Sequence, residues 1–562
     1  MEPLRVAVGA TESVAEAARR LRIHRAAGAP VVRRGRPVGL VTGPQTQNAI
    51  RHGAAAIRVA DLVCGGSPRV DPGAGPRSMW RAARGIAPGL LVSRARGTLL
   101  GFITRESLDG ILNRPAGSGP QAARPAGRSL RGAIESAGDG WRATFLGKAA
   151  ALARARGVGL FLVGGVVRDL LLGRSAGDLD LVVEGDGIAF AADLARLVNG
   201  RVIRHATFGT ASVILDEEAP APGGAATRID VATARRETYA VPASLPRVEP
   251  GTLLDDLLRR DVTINAMAVR LENGGGARLV DELGGERDLR LRTLRIHHLL
   301  SIVEDPTRAL RIARFAARFG FTPSDETLSG LALALRLGAF EALGGERLRR
   351  ELGLIAREPE PAAALAWCAK LGLLPHLGSG LSWNARVRRA VARLHAGFRS
   401  GLLEAAERPA SALLPTLMLL ALEARAPQRE ALAARLRITG SAAVLLRTSA
   451  QALADLLRGL AGATRPSRIV RLCEAVPPEI LAIAWAAGPP RAAREVRLYL
   501  ESLRHVRSSV DGRTLRAMGL PPGPLYASIL SKLRWAALDG GALGEEEQRR
   551  LAQRLVRQAS RR

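Results

Sequence analysis

Residues 173–187 read GRSAGDLDLVVEGDG and set Asp178 and Asp180 on either side of Leu179 in an otherwise apolar run. Residues i and i+2 of a strand project to the same face. Two carboxylates held side by side repel each other unless a cation lies between them, and hard oxygen ligands favour magnesium. Just upstream, LFLVGGVVRDLLLG joins an apolar strand at 160–163, a Gly164–Gly165 turn and a short helical segment at 166–172. Paired glycines let a backbone approach phosphate oxygens, and a helix start offers free N–H groups to an anion. Arg168, in the first turn, would reach the same oxygens. A glycine turn followed by an acid pair on the next strand points to metal-assisted phosphoryl transfer. No Ser–His–Asp pattern stands out among the eight histidines, so a nucleophile triad is not expected.

The elements that must position these groups belong to a long chain. Its 562 residues call for several domains, and 47% hydrophobic content suffices for real cores. Lys and Arg number 82 against 52 Asp and Glu, a formal charge of +30. Such a field suits a polyanionic partner. Cys64, Cys368 and Cys473 lie far apart with no paired spacing, which fits a reducing compartment and argues against a disulfide framework or a zinc site. The start lacks the apolar core of a signal peptide. The greasiest run, ALLPTLMLLAL from Ala412, is too short to span a bilayer and reads as a buried helix. The expectation is a cytoplasmic protein with no membrane partner.

Residues 1–112 repeat a helix–strand–strand pattern, with strands at 29–32 and 37–42 and again at 90–92 and 99–104. An internal repeat of this kind means paired small modules sharing a core. It resembles a tandem CBS-domain pair, which implies a nucleotide-binding cleft. The acid that this family uses to hold a ribose is replaced by Gln45 and Ser107, so a structural or dimerising role, a homodimer through this module, is the expectation. Residues 113–140, rich in Pro, Gly and Ala, read as a linker. Mixed strands and helices follow over 141–275. A neck at 276–345 and a body and tail at 346–562 show the 3–4 apolar spacing of helices. The fold class is therefore α+β: a CBS-like α/β module, a head with a mixed or antiparallel sheet, then an all-helical neck, body and tail.

Taken in order, LVGGVVRDLLLGRSAGDLDLVVEG, RHATFGTASVIL, RIDVATARRETY, RRDVTINAMAV and EDPTRALRIARF resemble the class II tRNA nucleotidyltransferases and bacterial poly(A) polymerases of the DNA polymerase beta superfamily. The resemblance runs over residues 160–321, with a fainter echo at DGRTLRAMGLPPGPLYASILSKLRWAALDG. It implies that Asp178 and Asp180 hold magnesium and that Asp230 is a third carboxylate, suited to taking the proton of an attacking hydroxyl. A strand acid that only braces the sheet is the alternative reading of Asp230. It further implies that Arg260 and Asp261 meet the ribose, with Asn265 as a structural partner. Asp305 and Arg308, three apart on one helical face, would present acceptor and donors to the edge of a base, and Arg311 and Arg314 would continue that face towards the triphosphate. Taken alone, Asp305 and Arg308 could equally be an ion pair on a solvated helix.

The implied activity is addition of A, or of CCA, to the tRNA 3′ end from ATP and CTP, with tRNA cradled on the basic helical body. Poly(A) polymerases of this family carry a GRRF-type stretch where this chain reads RHATFGTASVIL. The stretch between Asp230 and RRDVTINA retains ETYAVPASLPRVEPGTLLDD, fitting the flexible loop that CC-only enzymes shorten. The resulting order is A-adding or full CCA-adding, with CC-only third. Poly(A) synthesis and a catalytically inactive RNA-binding or regulatory role remain the alternatives.

Overall fold

The structure is a computed structural model of the chain, described here for residues 1–63, 68–74, 78–79, 82, 89–94, 99–104, 107, 128–136, 141–174, 179–205, 209–215, 227–403, 412–540 and 544–559. The chain divides into two units, 1–344 and 345–562.

The first unit opens with the repeat. β1 (Glu2–Pro3) precedes β2 (Val8–Gly9), helix α1 (Val14–Ile23), β3 (Gly28–Arg33), β4 (Arg36–Thr42) and α2 (Gly43–Arg51). The second copy supplies β5 (Arg69–Val70), β6 (Gly89–Ser93) and β7 (Leu99–Thr104). Each copy pairs its first short strand parallel to the next, which then pairs antiparallel with the last. Both copies also carry a register irregularity at the same place, Val31/Val32 and Val92/Ser93. Each ends on a threonine cap: Gln45 N donates to Thr42 Oγ1 and Ser107 N to Thr104 Oγ1. These apolar strands are buried along most of their length, and Leu40 of the first copy clusters with Leu91 and Phe102 of the second.

The head follows: α3 (Arg131–Ser136), α4 (Trp141–Ala155), β8 (Gly159–Val163), α5 (Gly165–Leu171), β9 (Leu179–Glu184), α6 (Gly187–Leu197), β10 (Arg201–His205), β11 (Thr210–Leu215), β12 (Thr227–Thr233), β13 (Arg235–Thr238), β14 (Arg247–Pro250), α7 (Leu253–Leu258), β15 (Ala268–Glu272) and β16 (Gly276–Val280). Seven strands form one sheet in the order β10-β11-β12-β9-β8-β15-β16. β12 runs parallel to β9 and the other neighbours are antiparallel, a mixed sheet. Phe161, Val163 and Val182 on one sheet face pack with Leu253, Leu257, Ala266 and Leu283, so that α7 closes over the strands that carry the acids.

Two boundaries differ from the sequence reading. Part of the stretch read as a linker belongs to the head: Leu279 N donates to the Arg128 carbonyl, Leu130 N donates to the Ala277 carbonyl, and residues 131–136 are helical. Backbone donors at a sheet edge accept any extended partner, which composition alone does not reveal. The head also extends past residue 275, because β16 pairs with β15 in the same sheet.

The neck comprises α8 (Ser301–Glu304), α9 (Thr307–Phe319) and α10 (Asp325–Arg336). α9 ends on Gly320 at φ 68°, a left-handed cap that suits glycine. The second unit is helical, with no strand among its described residues. The greasy run forms the buried helix Leu413–Leu420. The tail segment folds as helices Gly512–Ala517 and Leu525–Leu538, the first capped by Asp511, around Leu515, Leu520, Ile529 and Leu533. Among the described residues no helix is long and apolar enough to cross a membrane.

Candidate active site

The paired-acid strand is β9. Asp180 stands half-buried opposite Asp230 in the parallel β9–β12 ladder, so the two carboxylates project to one face of the sheet. Asp178 lies outside the described residues. On the next strand Ser212 faces Asp230, and its Oγ donates to Asp230 Oδ1 at 2.6 Å. Arg228 Nε donates to the same oxygen at 2.8 Å. Both bonds fall on Oδ1. These bonds brace Asp230 within the sheet.

The glycine turn closes on this acid. Gly164 has φ 80° and ψ −139°, a conformation open essentially to glycine. A Cβ there would lie 2.8 Å from Arg260 Nη1 and 3.6 Å from Asp180 Oδ2. Gly164, Arg260 and Asp180 therefore converge on one small space, although Arg260 is separated from the others by the length of the head. The Arg260 Nε is buried with no hydrogen-bond partner among the described residues, a donor that suits an anionic ligand.

Arg168, expected as a phosphate contact, lies inside the head behind the glycine turn. It is 6% exposed; its Nη1 donates to Asn265 Oδ1 at 2.6 Å and its Nε to Asp169 Oδ1 at 2.9 Å. Its guanidinium stacks 4.5 Å from the Phe319 ring centroid. Burial pushes this guanidinium down from its ordinary range, with Asp169 opposing the shift. Arg168 thus positions the turn and the helix behind it. Asn265 passes the connection on by donating to Asp261 Oδ1 at 3.0 Å, and Arg311 Nε donates to Asp261 Oδ2 at 2.6 Å. Burial would raise the Asp261 carboxyl, but Arg311 and the Asn265 and Val262 donors outweigh it and hold it well below the usual carboxylate range.

The pair expected to read the base, Asp305 and Arg308, does not share a helical face. Asp305 is extended, at φ −135° and ψ 94°, rather than on a helical face with Arg308. It caps α9 instead, accepting from Thr307 N at 3.0 Å and Thr307 Oγ1 at 2.6 Å. The proline that follows disfavours helical geometry in the residue before it, which is why the helix starts after Asp305. The two residues remain neighbours because Arg308 N donates to the Asp305 carbonyl. The Arg308 guanidinium is buried and anchored to Ser301 Oγ and to the Arg259 carbonyl. Arg311 and Arg314 follow along α9, with guanidiniums 5.7 Å and 5.1 Å from the Phe315 ring centroid.

Three site residues escape sequence reasoning. Asp256 is completely buried and accepts from Arg259 Nε at 2.9 Å and Arg260 Nη2 at 2.9 Å. Glu237 accepts from Arg259 and from Tyr239. Glu304 accepts from groups far away in the chain. The spacing of Asp256 three and four residues before two arginines, at the end of α7 and just past it, is a signal that could have found the first; the others depend on tertiary closure.

Magnesium suits this donor set, since Asp180 and Asp230 offer hard oxygens on adjacent strands. Among the described residues no group of three potential ligands is assembled.

Residues 160–295 match the poly A polymerase head domain family. The chain is 36% identical over 409 residues to the A-adding tRNA nucleotidyltransferase of Geobacter sulfurreducens, covering 71% of this chain and 45% of that protein. It is 35% identical over 372 residues to the CC-adding tRNA nucleotidyltransferase of Deinococcus radiodurans, covering 64% of this chain and 89% of that protein. The structure of a CCA-adding enzyme in its apo form II has a TM-score of 0.65 at 28% identity, over 76% of this chain and 98% of that one. The head, with Asp180 beside a glycine turn, is of the nucleotidyltransferase class. The chain belongs to the tRNA nucleotidyltransferase family. It spans about half, or less, of the length of the A-adding relatives it matches.

Proposed function

We propose that this chain adds adenosine to the 3′ end of tRNA already ending in CC, with addition of the whole CCA triplet as the second reading. The observation that carries the first choice is the loop between β13 and α7. Its Ala243 N donates to the carbonyl of Glu304, the residue before Asp305. A loop seated against the base-reading pair suits a site that accepts ATP, and CC-only members of the family shorten it.

Asp178 and Asp180 are the residues that would hold magnesium. When bound, the metal supplies charge neutralisation for the triphosphate and acidifies the attacking hydroxyl. The chain's own groups do the rest. The second oxygen of Asp230 accepts the proton of the tRNA 3′-hydroxyl as that oxygen attacks the α-phosphorus in line, and pyrophosphate leaves. Arg260, held over Gly164, steadies the phosphates. Asp261 accepts from the ribose, and Asp305 with Arg308 reads the edge of the base. Phosphoryl transfer asks chiefly for positioning and charge, which accounts for a site of carboxylates and guanidiniums without a nucleophile.

The tRNA is the partner of the helical body. Helix Ala385–Arg399 buries Val387, Ala390, Val391 and Leu394 and leaves Arg386, Arg388, Arg389 and Arg393 exposed, a face suited to phosphates. We read the N-terminal repeat as a CBS-like, dimerising element. Gln45, at a position where that family holds ribose, spends its Nε2 on the Leu62 carbonyl. The buried thiols of Cys368 and Cys473 suit a cytoplasmic protein.

The test is an extension assay with three tRNA transcripts ending before CCA, after C and after CC, each with magnesium and ATP, CTP or both. Growth of the CC-ended transcript alone, by one A, is expected. Growth of all three to CCA supports the second reading, and long A-tails would sink both.

A further inference from the structure

The N-terminal repeat is joined to the nucleotide-selecting element through one carboxylate. Glu304 ends α8 and directly precedes Asp305; it is 8% exposed. Its Oε1 accepts from Asn48 Nδ2 on α2 at 2.9 Å, a pair 256 residues apart in the chain. The His52 Nε2, one turn further along α2, lies 3.8 Å from the same oxygen, and His298 Nε2 lies 3.3 Å from Oε2.

The backbone of Glu304 is tied just as closely. Its N–H donates to the Leu300 carbonyl at 2.8 Å, and its own carbonyl accepts from Ala243 N at 3.1 Å. Ala243 sits at φ 57°, a strained conformation for a residue with a Cβ, so the loop is held in one arrangement there. Ser301, the first residue of the same short helix, accepts from Arg308. The other Arg308 contact, the Arg259 carbonyl, belongs to a residue paired with Asp256 and Glu237, and Glu237 accepts from loop residue Tyr239. Glu304 therefore stands where the repeat, the loop and the base-reading pair meet.

We propose that Glu304 is a positioning residue through which Asn48 and His52 of the N-terminal repeat set the placement of Asp305 and Arg308, so that the repeat tunes which nucleotide is accepted. The exposed pair Arg336–Asp61, at 3.7 Å, is a second tie between the repeat and the neck; being solvated, it contributes little. The coupling runs through the buried carboxylate. A buried hydrogen bond to a charged group is costly to lose, and a displaced Glu304 takes Asp305 with it through the chain. The proposal rests on the reading of Asp305 and Arg308 as the pair that meets the base.

Its test uses the full chain, CC-ended tRNA, and ATP and CTP as separate substrates. Asn48→Asp replaces the donor with a second carboxylate facing Glu304. The expected result is a KM for ATP raised roughly tenfold, the loss of about one charge-assisted hydrogen bond, and a weaker preference for ATP over CTP, with kcat at saturation close to wild type. Adding Glu304→Gln to Asn48→Asp re-creates a donor and an acceptor with their places exchanged, and should recover most of the preference; a merely structural contact would not give that rescue at equal melting temperature. Wild-type KM and preference in a folded Asn48→Asp protein would overturn the coupling, as would a defect that the exchanged pair fails to relieve. Should Asn48→Asp unfold the repeat, Asn48→Ala, which only deletes the bond, serves in its place, and wild-type KM and preference in that folded variant would overturn the coupling. Arg308→Ala separates the two claims: unaltered nucleotide choice there sinks the base-reading assignment, whereas altered choice there with none in the Asn48 variants sinks the coupling alone.

Discussion

Asp256 offers the sharpest perturbation of the site from outside it. Its carboxylate is 0% exposed and joins Arg259, which anchors Arg308 through its carbonyl, to Arg260, which closes over Gly164 beside Asp180. Burial alone would push this carboxyl up, yet the Arg260 and Arg259 guanidiniums hold it below the usual carboxylate range. A depressed carboxylate contributes stability above the unfolded pKa and loses it as pH falls through the folded value, so at neutral pH the contribution is complete. Asp256→Asn keeps the shape and one acceptor but removes the charge between two largely buried arginines. Breaking a buried pair costs about 3–5 kcal/mol, and the retained acceptor reduces this to about 2–4 kcal/mol. Urea unfolding of the head should register that loss. With Arg260 loosened, kcat/KM for ATP should fall roughly 10–100-fold, or about 1.4–2.7 kcal/mol of transition-state stabilisation, while tRNA affinity holds. The neighbouring Asp255→Asn is the control. Asp255 caps α7 through Thr252 and pairs with the exposed Arg236, so it should cost about 1 kcal/mol and leave nucleotide kinetics alone. Equal behaviour of the two variants would refute the reasoning.

Two further outcomes follow from the same geometry. Gly164→Ala meets both a forbidding backbone conformation and the Arg260 guanidinium 2.8 Å away; steady-state kinetics should show kcat/KM for ATP reduced at least about tenfold, on top of roughly 1–3 kcal/mol of strain. Gly320→Ala, at φ 68° with nothing within 4 Å, should show strain in the melting curve but no kinetic defect. His395 is buried and bonded to Thr416, and burial pushes its pKa from 6.5 down to about 4. The folded ring stays neutral while the unfolded one protonates, so its contribution is present above about pH 6.5 and declines towards pH 4. The gap amounts to about 3 kcal/mol. Urea titrations across that range should be flatter for His395→Gln than for wild type by that amount, and identical slopes would count against the assignment.

What the sequence made legible was local. Alternation placed Asp180 and Asp230 on strands, the glycine pair marked the turn before α5, and 3–4 spacing marked the helical half of the chain. Because strand faces follow from a period of two, the acids' shared orientation was readable once their strands were neighbours. The sequence was silent where distant segments close on one another. Arg168, free on paper to reach phosphate, is drawn inward by Asn265 and Phe319. Asp305 leaves its expected helical face because Pro306 ends regular geometry there. Residues 128–130, in the Pro- and Gly-rich stretch, pair with the head only because β16 has unpaired backbone to offer. Asn48 and Glu304 have no pattern at all in one dimension.

The most direct measurement is single-turnover incorporation of ATP into CC-ended tRNA by wild-type protein and by Asp180→Ala, with filter binding of the tRNA measured in parallel. The expected result is one A added by wild type and none by the variant, at equal tRNA affinity. Extension by the variant at the wild-type rate would contradict the assignment of the β9 acids as the centre of the chemistry.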